Sequence, residues 1–231
     1  MTIELAIVLE IIRLWLSQGG PPVFEKLTYL TSADDLRPPY LPPSPLMRAK
    51  VLDRLDRHCC NFIASAPLVI IGSSHPARGH DVSPRGDAPG FVHVLDSRHL
   101  AIPDRPGNNR LDSIENLLAD PSIGLLFVIP GIDELLRVNG TARLTRSQEL
   151  LQFMAVDGKA PKLAIVVTIT EAFLHCTKAF KRSRLWRDDY RLDRAKLPSL
   201  GQMISDQTKP ADLTVRDIET RIEMDAQRNL Y

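Results

Sequence analysis

The sequence predicts a mainly β fold with peripheral helices, an α+β arrangement built on antiparallel strands. Three observations carry this expectation. Apolar, β-branched runs of strand length recur: APLVIIGSS from Ala66 to Ser74, IGLLFVIPG from Ile123 to Gly131 and KLAIVVTIT from Lys162 to Thr170. Turn signals rich in Gly, Pro and Asn separate the runs from segments that read as returning strands. Helical patterns are few beside them, so several apolar strands are left with little to cover them.

The chain has 231 residues, enough for one substantial core, with 44% hydrophobic and 25% charged residues, as in a soluble globular protein. Its net charge of +1 supplies no general attraction to nucleic acid or an anionic membrane, so any basic site is local. Cys59, Cys60 and Cys176 are not an even disulfide set and are expected as reduced thiols in a cytoplasmic protein. No Cys-x-x-Cys or clustered Cys/His pattern suggests zinc.

In chain order, Ile3 to Leu16 (IELAIVLEIIRLWL) is the most apolar stretch. It is too short to span a bilayer, carries Glu4, Glu10 and Arg13, and lacks the positive start of a signal peptide, so a docked amphipathic helix is expected. After Gly19 and Gly20, a proline-rich connection including Arg37 to Pro45 forces extended backbone over the surface. Ser44 and Pro45 form an N-cap and first-turn pair for one helix, with apolar positions Met47, Val51, Leu52, Leu55, Cys59 and Phe62.

The strand Ala66 to Ser74 turns through HPARGH and returns from DVSP. RGDAPG interrupts that return, and GFVHVLD with LAIP continue as an antiparallel pair around Asp96 to Arg98. A short helix from Asp112 to Leu118 ends near Pro121, and LLRVNGTARL pairs back on the Ile123 strand. Thr145 with Gln148 reads as a capping box for a helix reaching Met154, and the strand from Lys162 to Thr170 reads as central. Glu171 to Trp186 is dense in Lys and Arg and reads as a solvated basic helix; Val215, Ile218 and Ile222 mark an outer packing helix.

The turn RPGNNRLDSIENLL, Arg105 to Leu118, carries the clearest chemistry. A helix that starts after a strand exposes unpartnered N–H groups and the positive end of its dipole, which suits phosphate. Gly107 is expected to permit a tight turn, Asn108 and Asn109 to tolerate unusual dihedrals and donate hydrogen bonds, and Arg110 to offer a planar fork. The alternative is a plain capping box of Asp112 and Glu115 with Arg110 solvated.

DVSPRGD, GFVHVLD, LAIPDRPGNNR, LLFVIPG and LRVNGTARL occur in this order from Asp81 to Leu144. Together they resemble the pyridoxamine 5′-phosphate oxidase-like flavoproteins, in particular a bacterial branch of FMN-dependent members with unassigned substrate. The resemblance implies a split β-barrel, FMN as cofactor, and a homodimer with flavin sites shared between subunits. It divides the chain into an N-terminal helix and proline-rich connection (1–43), the FMN-binding barrel (44–186) and a helical extension (187–231). For the phosphate it points to Asn109 and Arg110 with Asn108 and Arg85, and along the ring to Pro103, Asp104 and Ser83. A family-like HC–KA–RS–LW pattern, here from His175 to Trp186, adds Lys178, Arg182 and Trp186 beside the flavin and the dimer interface. The chain departs from the oxidases that give the family its name. It has Arg85 but no matching lysine on that strand, and no counterpart of their C-terminal arginine and histidine motif, so pyridoxamine phosphate is not the expected substrate.

Two functions follow. One is an FMN-dependent oxidoreductase passing hydride or electrons between a small molecule or nicotinamide donor and a second acceptor, with no catalytic residue named by the sequence. The other is a binding or storage module for flavin, deazaflavin or haem on the same scaffold. FMN is expected rather than FAD because no Rossmann-type glycine fingerprint is present. The histidines are too scattered for a metal cluster, Ser83 lacks a nucleophile-elbow pattern, and nucleic-acid binding is disfavoured by the balanced charge.

Overall fold

The computed structural model describes residues 27–36 and 39–231, so the expected helix from Ile3 to Leu16 and the start of the proline-rich connection after Gly20 lie outside the described residues. The chain forms two compact units, residues up to Pro45 and Leu46–Tyr231. In the first, helix α1 (Ala33–Leu36) follows Ser32, whose hydroxyl accepts from the Asp35 amide at 3.1 Å. Residues 39–44 of the proline-rich connection are exposed and carry neither helix nor strand.

The single helix expected from Pro45 to Phe62 is two: α2 (Pro45–Ala49) and α3 (Arg57–Ser65). Leu52 breaks it. Its amide and carbonyl both bond Ala172, at 3.0 and 2.8 Å, where the last long strand runs past its neighbour and has a free edge. Leu55 N–H then bonds the Ser97 carbonyl at 2.7 Å, and the Asp56 carboxylate caps α3 through the Cys59 amide at 2.8 Å. Cys59 and Ile63 on α3 enter the core, and burial pushes the Cys59 thiol up to about 11.

Seven antiparallel strands form one sheet in the order β2-β1-β5-β6-β7-β4-β3. They are β1 (Leu68–His75), β2 (Gly79–Gly86), β3 (His93–Val94), β4 (His99–Pro103), β5 (Ser122–Val128), β6 (Leu136–Thr145) and β7 (Ala164–Leu174). This mainly antiparallel sheet with helices is consistent with a split barrel, and β7 is an interior strand. RGDAPG does not interrupt one strand, as the sequence suggests. It carries the chain from β2 at one edge of the sheet to β3 at the other. The remaining helices are α4 (Asp112–Ala119), α5 (Gln148–Phe153), α6 (Lys178–Ser183), α7 (Leu200–Thr208) and α8 (Val215–Arg228).

Alternation along the strands puts Val69, Ile71, Leu100, Ile102, Leu125, Phe127, Leu136 and Val138 in one core that α3 and α4 cover with Ile63, Ile114 and Leu117. Each such side chain contributes roughly 1.5–3 kcal/mol when fully buried. Strand β4 is covered on both faces, because Ala101 points away from that core into a smaller cluster with Leu151 and Met154 of the α5 region and Ala164. Near-continuous burial of β4 follows, up to and including Pro103.

Two helix expectations change. Thr145 forms no capping box; its hydroxyl accepts from the Ser147 amide at 3.1 Å, and Ser147 is the N-cap of α5 without a side-chain cap bond. The basic helix from Glu171 shrinks to α6, because β7 continues to Leu174 in register with Leu136 and strand pairing outcompetes local helix formation. The expected outer helix is α8, which starts in a reciprocal box between Thr214 and Asp217 and buries Ile218. Among the described residues, no helix is long and apolar enough to cross a membrane.

The β6–β7 pairing slips at Asn139/Gly140, and a Cβ on Gly140 would lie 2.1 Å from the Thr168 carbonyl oxygen. Since that neighbour is backbone in an interior pair, Gly140→Ala is expected to cost about 2–3 kcal/mol and lower the melting temperature by several degrees, measured by thermal denaturation.

Candidate functional site

The described part of the larger unit carries a groove of about 580 Å³ where β2, the Asp104–Leu111 turn, the first turn of α4 and the facing ends of β6 and β7 meet. Four polar contacts fix α4 against the β1–β2 hairpin and so set the turn beside Ser83 and Arg85. Ser113 Oγ donates to Asp81 at 2.7 Å, and buried Asn116 donates to Ser73 Oγ at 3.1 Å. Arg78 donates to Glu115 at 2.8 Å and to the side-chain oxygen Oδ1 of Asn116 at 3.0 Å.

Within the turn, Asn108 Oδ1 accepts from the Arg110 amide at 3.1 Å, and Asn109 and Leu111 have φ of 58° and 59°. The left-handed positions thus fall on Asn109 and Leu111 rather than on Gly107. For a leucine this conformation costs about 1–2 kcal/mol, so the strain sits in the wall of the groove. Leu111 is the N-cap of α4 and supplies no side-chain cap. The capping box of Asp112 and Glu115 is not formed: Asp112 is the first helical residue, and its carboxylate accepts from Arg110 Nε at 2.7 Å.

Five cations and three carboxylates line the groove, and their commitments differ. Arg110 is exposed and engaged with Asp112, while Arg105 is paired with the buried Asp87. Arg85 Nη1 donates to Ser83 Oγ and to the Pro84 carbonyl. Arg146 and Lys162 make no hydrogen bond or ion pair among the described residues. Burial pushes the Asp104 carboxyl up, against the opposing pull of the Arg85 and Lys162 charges. Among the described residues Arg85, Arg146 and Lys162 are paired with no carboxylate, so the groove carries positive charge that an anion could meet. Pro84, Gly86, Pro106, Gly107, Ile114 and Leu163 add surface without charge.

Of the residues singled out in the sequence, Ser83, Arg85, Asp104, Asn108, Asn109 and Arg110 come together in this groove. Pro103 is buried at the end of β4, paired with Ala164, and does not line the groove. Lys178, Arg182 and Trp186 are not brought to the groove within one chain. Lys178 and Arg182 are exposed on α6, and the Trp186 indole donates to the Ile132 carbonyl at 3.1 Å and packs 5.5 Å from Phe180.

Sequence reasoning missed Arg105, Arg146 and Lys162. The last two had a signal: Arg146 follows β6 and Lys162 precedes β7, and pairing of Thr145 with Ala164 carries both to the same end of the sheet.

Residues 55–176 match the family model described as pyridoxamine 5′-phosphate oxidase. The chain belongs to that family. The match spans the whole sheet and the groove and leaves α6, Trp186, α7 and α8 outside it. Among solved structures, HupZ of Group A Streptococcus is 12% identical with a TM-score of 0.44, covering 52% of this chain and 93% of its own. An FMN-binding protein from Syntrophomonas wolfei is also 12% identical, TM-score 0.40, covering 52% and 88%. A Clostridium acetobutylicum protein related to general stress protein 26, of the pyridoxinephosphate oxidase family, is 14% identical, TM-score 0.39, covering 50% and 83%. No curated protein matches the chain.

Asp104 provides a test of the groove's electrostatics that needs no ligand. A carboxyl whose folded value is raised binds its proton more tightly in the folded state, so it favours folding as pH falls through that value and opposes folding above it. Asp104→Asn should therefore be more stable than the parent at neutral pH. Its advantage should disappear as the pH approaches 3.8, as measured by denaturant unfolding across pH.

Proposed function

We propose that this family member binds FMN in the groove and works as an FMN-dependent oxidoreductase on a small molecule still to be assigned. The observation that carries the reading is the meeting, inside the family-matched region, of cations that have no carboxylate partner among the described residues with an uncharged surface in one groove. Arg85, Arg146 and Lys162 would hold the phosphate, with Asn108 and Asn109 as amide donors; Arg110 would join them by exchanging its Asp112 contact. Pro84, Pro106 and Leu163 offer the surface for a flat ring. When bound, FMN supplies hydride or electron transfer. Asp104 is the groove's half-buried carboxyl with a raised pKa, and it is the side chain suited to hold a proton there.

The carrier reading draws support from the same inventory. Among the described lining residues none is His, Cys, Met or Tyr, which leaves the groove poor in acid–base groups and without a side chain suited to haem iron. A carrier on this groove would therefore hold flavin or deazaflavin rather than haem.

Purified protein should show flavin absorbance, and heat should release FMN. Recovery of FAD, or no flavin after reconstitution, rules the assignment out. Bleaching by a nicotinamide donor separates the oxidoreductase from the carrier. Lys162→Ala and Arg85→Ala should each weaken FMN about tenfold or more while leaving riboflavin, which lacks the phosphate, unaffected.

The same reading includes a homodimer, with Lys178, Arg182 and Trp186 reaching the partner's flavin. Its support is exposed apolar surface on the elements that frame the groove, Val82 of β2 at 71% and Leu118 of α4 at 73%. A ligand held across an interface strengthens association by mass action. Sedimentation over a dilution series should accordingly show a dimer that loosens when FMN is removed, whereas a monomer keeping full flavin occupancy excludes the shared site.

A further inference from the structure

Arg105 stands in the wall of the groove, yet its side chain is only 12% exposed and that of its partner Asp87 only 2%. A guanidinium has five N–H donors in one plane. Nε donates to Asp87 Oδ2 at 2.7 Å and Nη1 to the Met154 carbonyl at 3.1 Å, while Nη2 makes no hydrogen bond among the described residues. The other Asp87 oxygen accepts from the Ala88 amide at 2.7 Å and from the Tyr231 hydroxyl at 2.6 Å.

Tyr231 lies three residues beyond α8 and 144 residues from Asp87. Its ring lies against the Arg105 guanidinium, 5.7 Å from centroid to Cζ, and its backbone oxygen accepts from Lys159 at 3.2 Å. One phenol thus engages both members of a buried ion pair, through its hydroxyl and through its face. Burial alone would raise the Asp87 carboxyl. The hydrogen bonds from Tyr231, Ala88 and Arg105 outweigh this and hold it below its ordinary value. A residue that only packed at this place would be served by apolar contact, with no donor to a buried carboxylate.

We propose that Tyr231 is a positioning residue for the groove: it clamps Asp87 and Arg105 so that the Nη2 edge of the guanidinium is presented to the anionic group of the ligand. The proposal rests on the FMN reading only for the identity of that anion. The clamp belongs to the protein alone.

Two measurements test it. The Arg105 Nε–H resonance, assigned by its loss in Arg105→Lys, reports the clamp without ligand. Tyr231→Phe deletes one oxygen and keeps the ring, so the fold survives; its Nε–H should exchange with solvent about tenfold faster, and FMN affinity should fall about five- to tenfold with riboflavin affinity unchanged. Unchanged Nε–H exchange in Tyr231→Phe overturns the proposal. So does faster exchange with unaltered FMN affinity, or an equal loss for FMN and riboflavin, which would mark general loosening. A parent protein that binds no FMN overturns the functional reading instead, and the Nε–H exchange in Tyr231→Phe then decides the clamp by itself.

Discussion

The carboxylate of Asp87 has to be neutralised where it is buried, and much of the groove depends on how that is done. An uncompensated buried charge costs several kcal/mol, so the segment that crosses from β2 to β3 holds its place only with Arg105 opposite. That one pair ties together the crossing, the chain leaving β4, and the end of α5 through the Met154 carbonyl. The Asp87 amide adds a bond to the Pro67 carbonyl at 3.1 Å, which anchors the crossing to the entry of β1. The turn that follows Arg105 therefore starts from a fixed point, and the left-handed residues Asn109 and Leu111 are held by their surroundings rather than by their own preference.

The cations that line the groove differ in their commitments. Arg105 is buried and structural on three sides, Arg110 is neutralised on the surface by Asp112, and Arg146 and Lys162 carry no partner among the described residues. Placing these two charges at strand ends keeps them solvated, which avoids the desolvation that raises Asp104 nearby. Strand ends also fix their origin in space: Thr145 and Ala164 are paired, so the two side chains leave the sheet from neighbouring positions.

Much of this was legible in the sequence where a local rule governs. β-branched runs became β1, β5 and β7, and the GNNR turn became the rim of the groove, because strand propensity and turn chemistry act over a few residues. The misses occur where distant partners win. Helical spacing around Leu52 is sound locally, but a free strand edge at Ala172 captures its backbone. Gly107 is the obvious turn residue, yet the Asn108 side chain organises the bend and moves the left-handed positions onto Asn109 and Leu111. Arg105 sits in plain view within the motif, and only the placement of Asp87 across the sheet reveals it as buried. Residues 178 to 186 gain no place in the groove from one chain, so their meaning could not be read from intrachain geometry.

The sheet order also bears on how the protein is made. Strand β1 pairs with β5 across the whole of the β2 to α4 segment, and β4 waits for β7, with His99 opposite Thr168. Such distant pairings impose loop-closure entropy before any contact rewards it, which slows folding. On the ribosome, residues 81 to 102 emerge long before Lys162, so the groove exists only after β7 has closed the sheet. Tyr231 lies beyond β7 in the chain, so its contact with Asp87 comes later still.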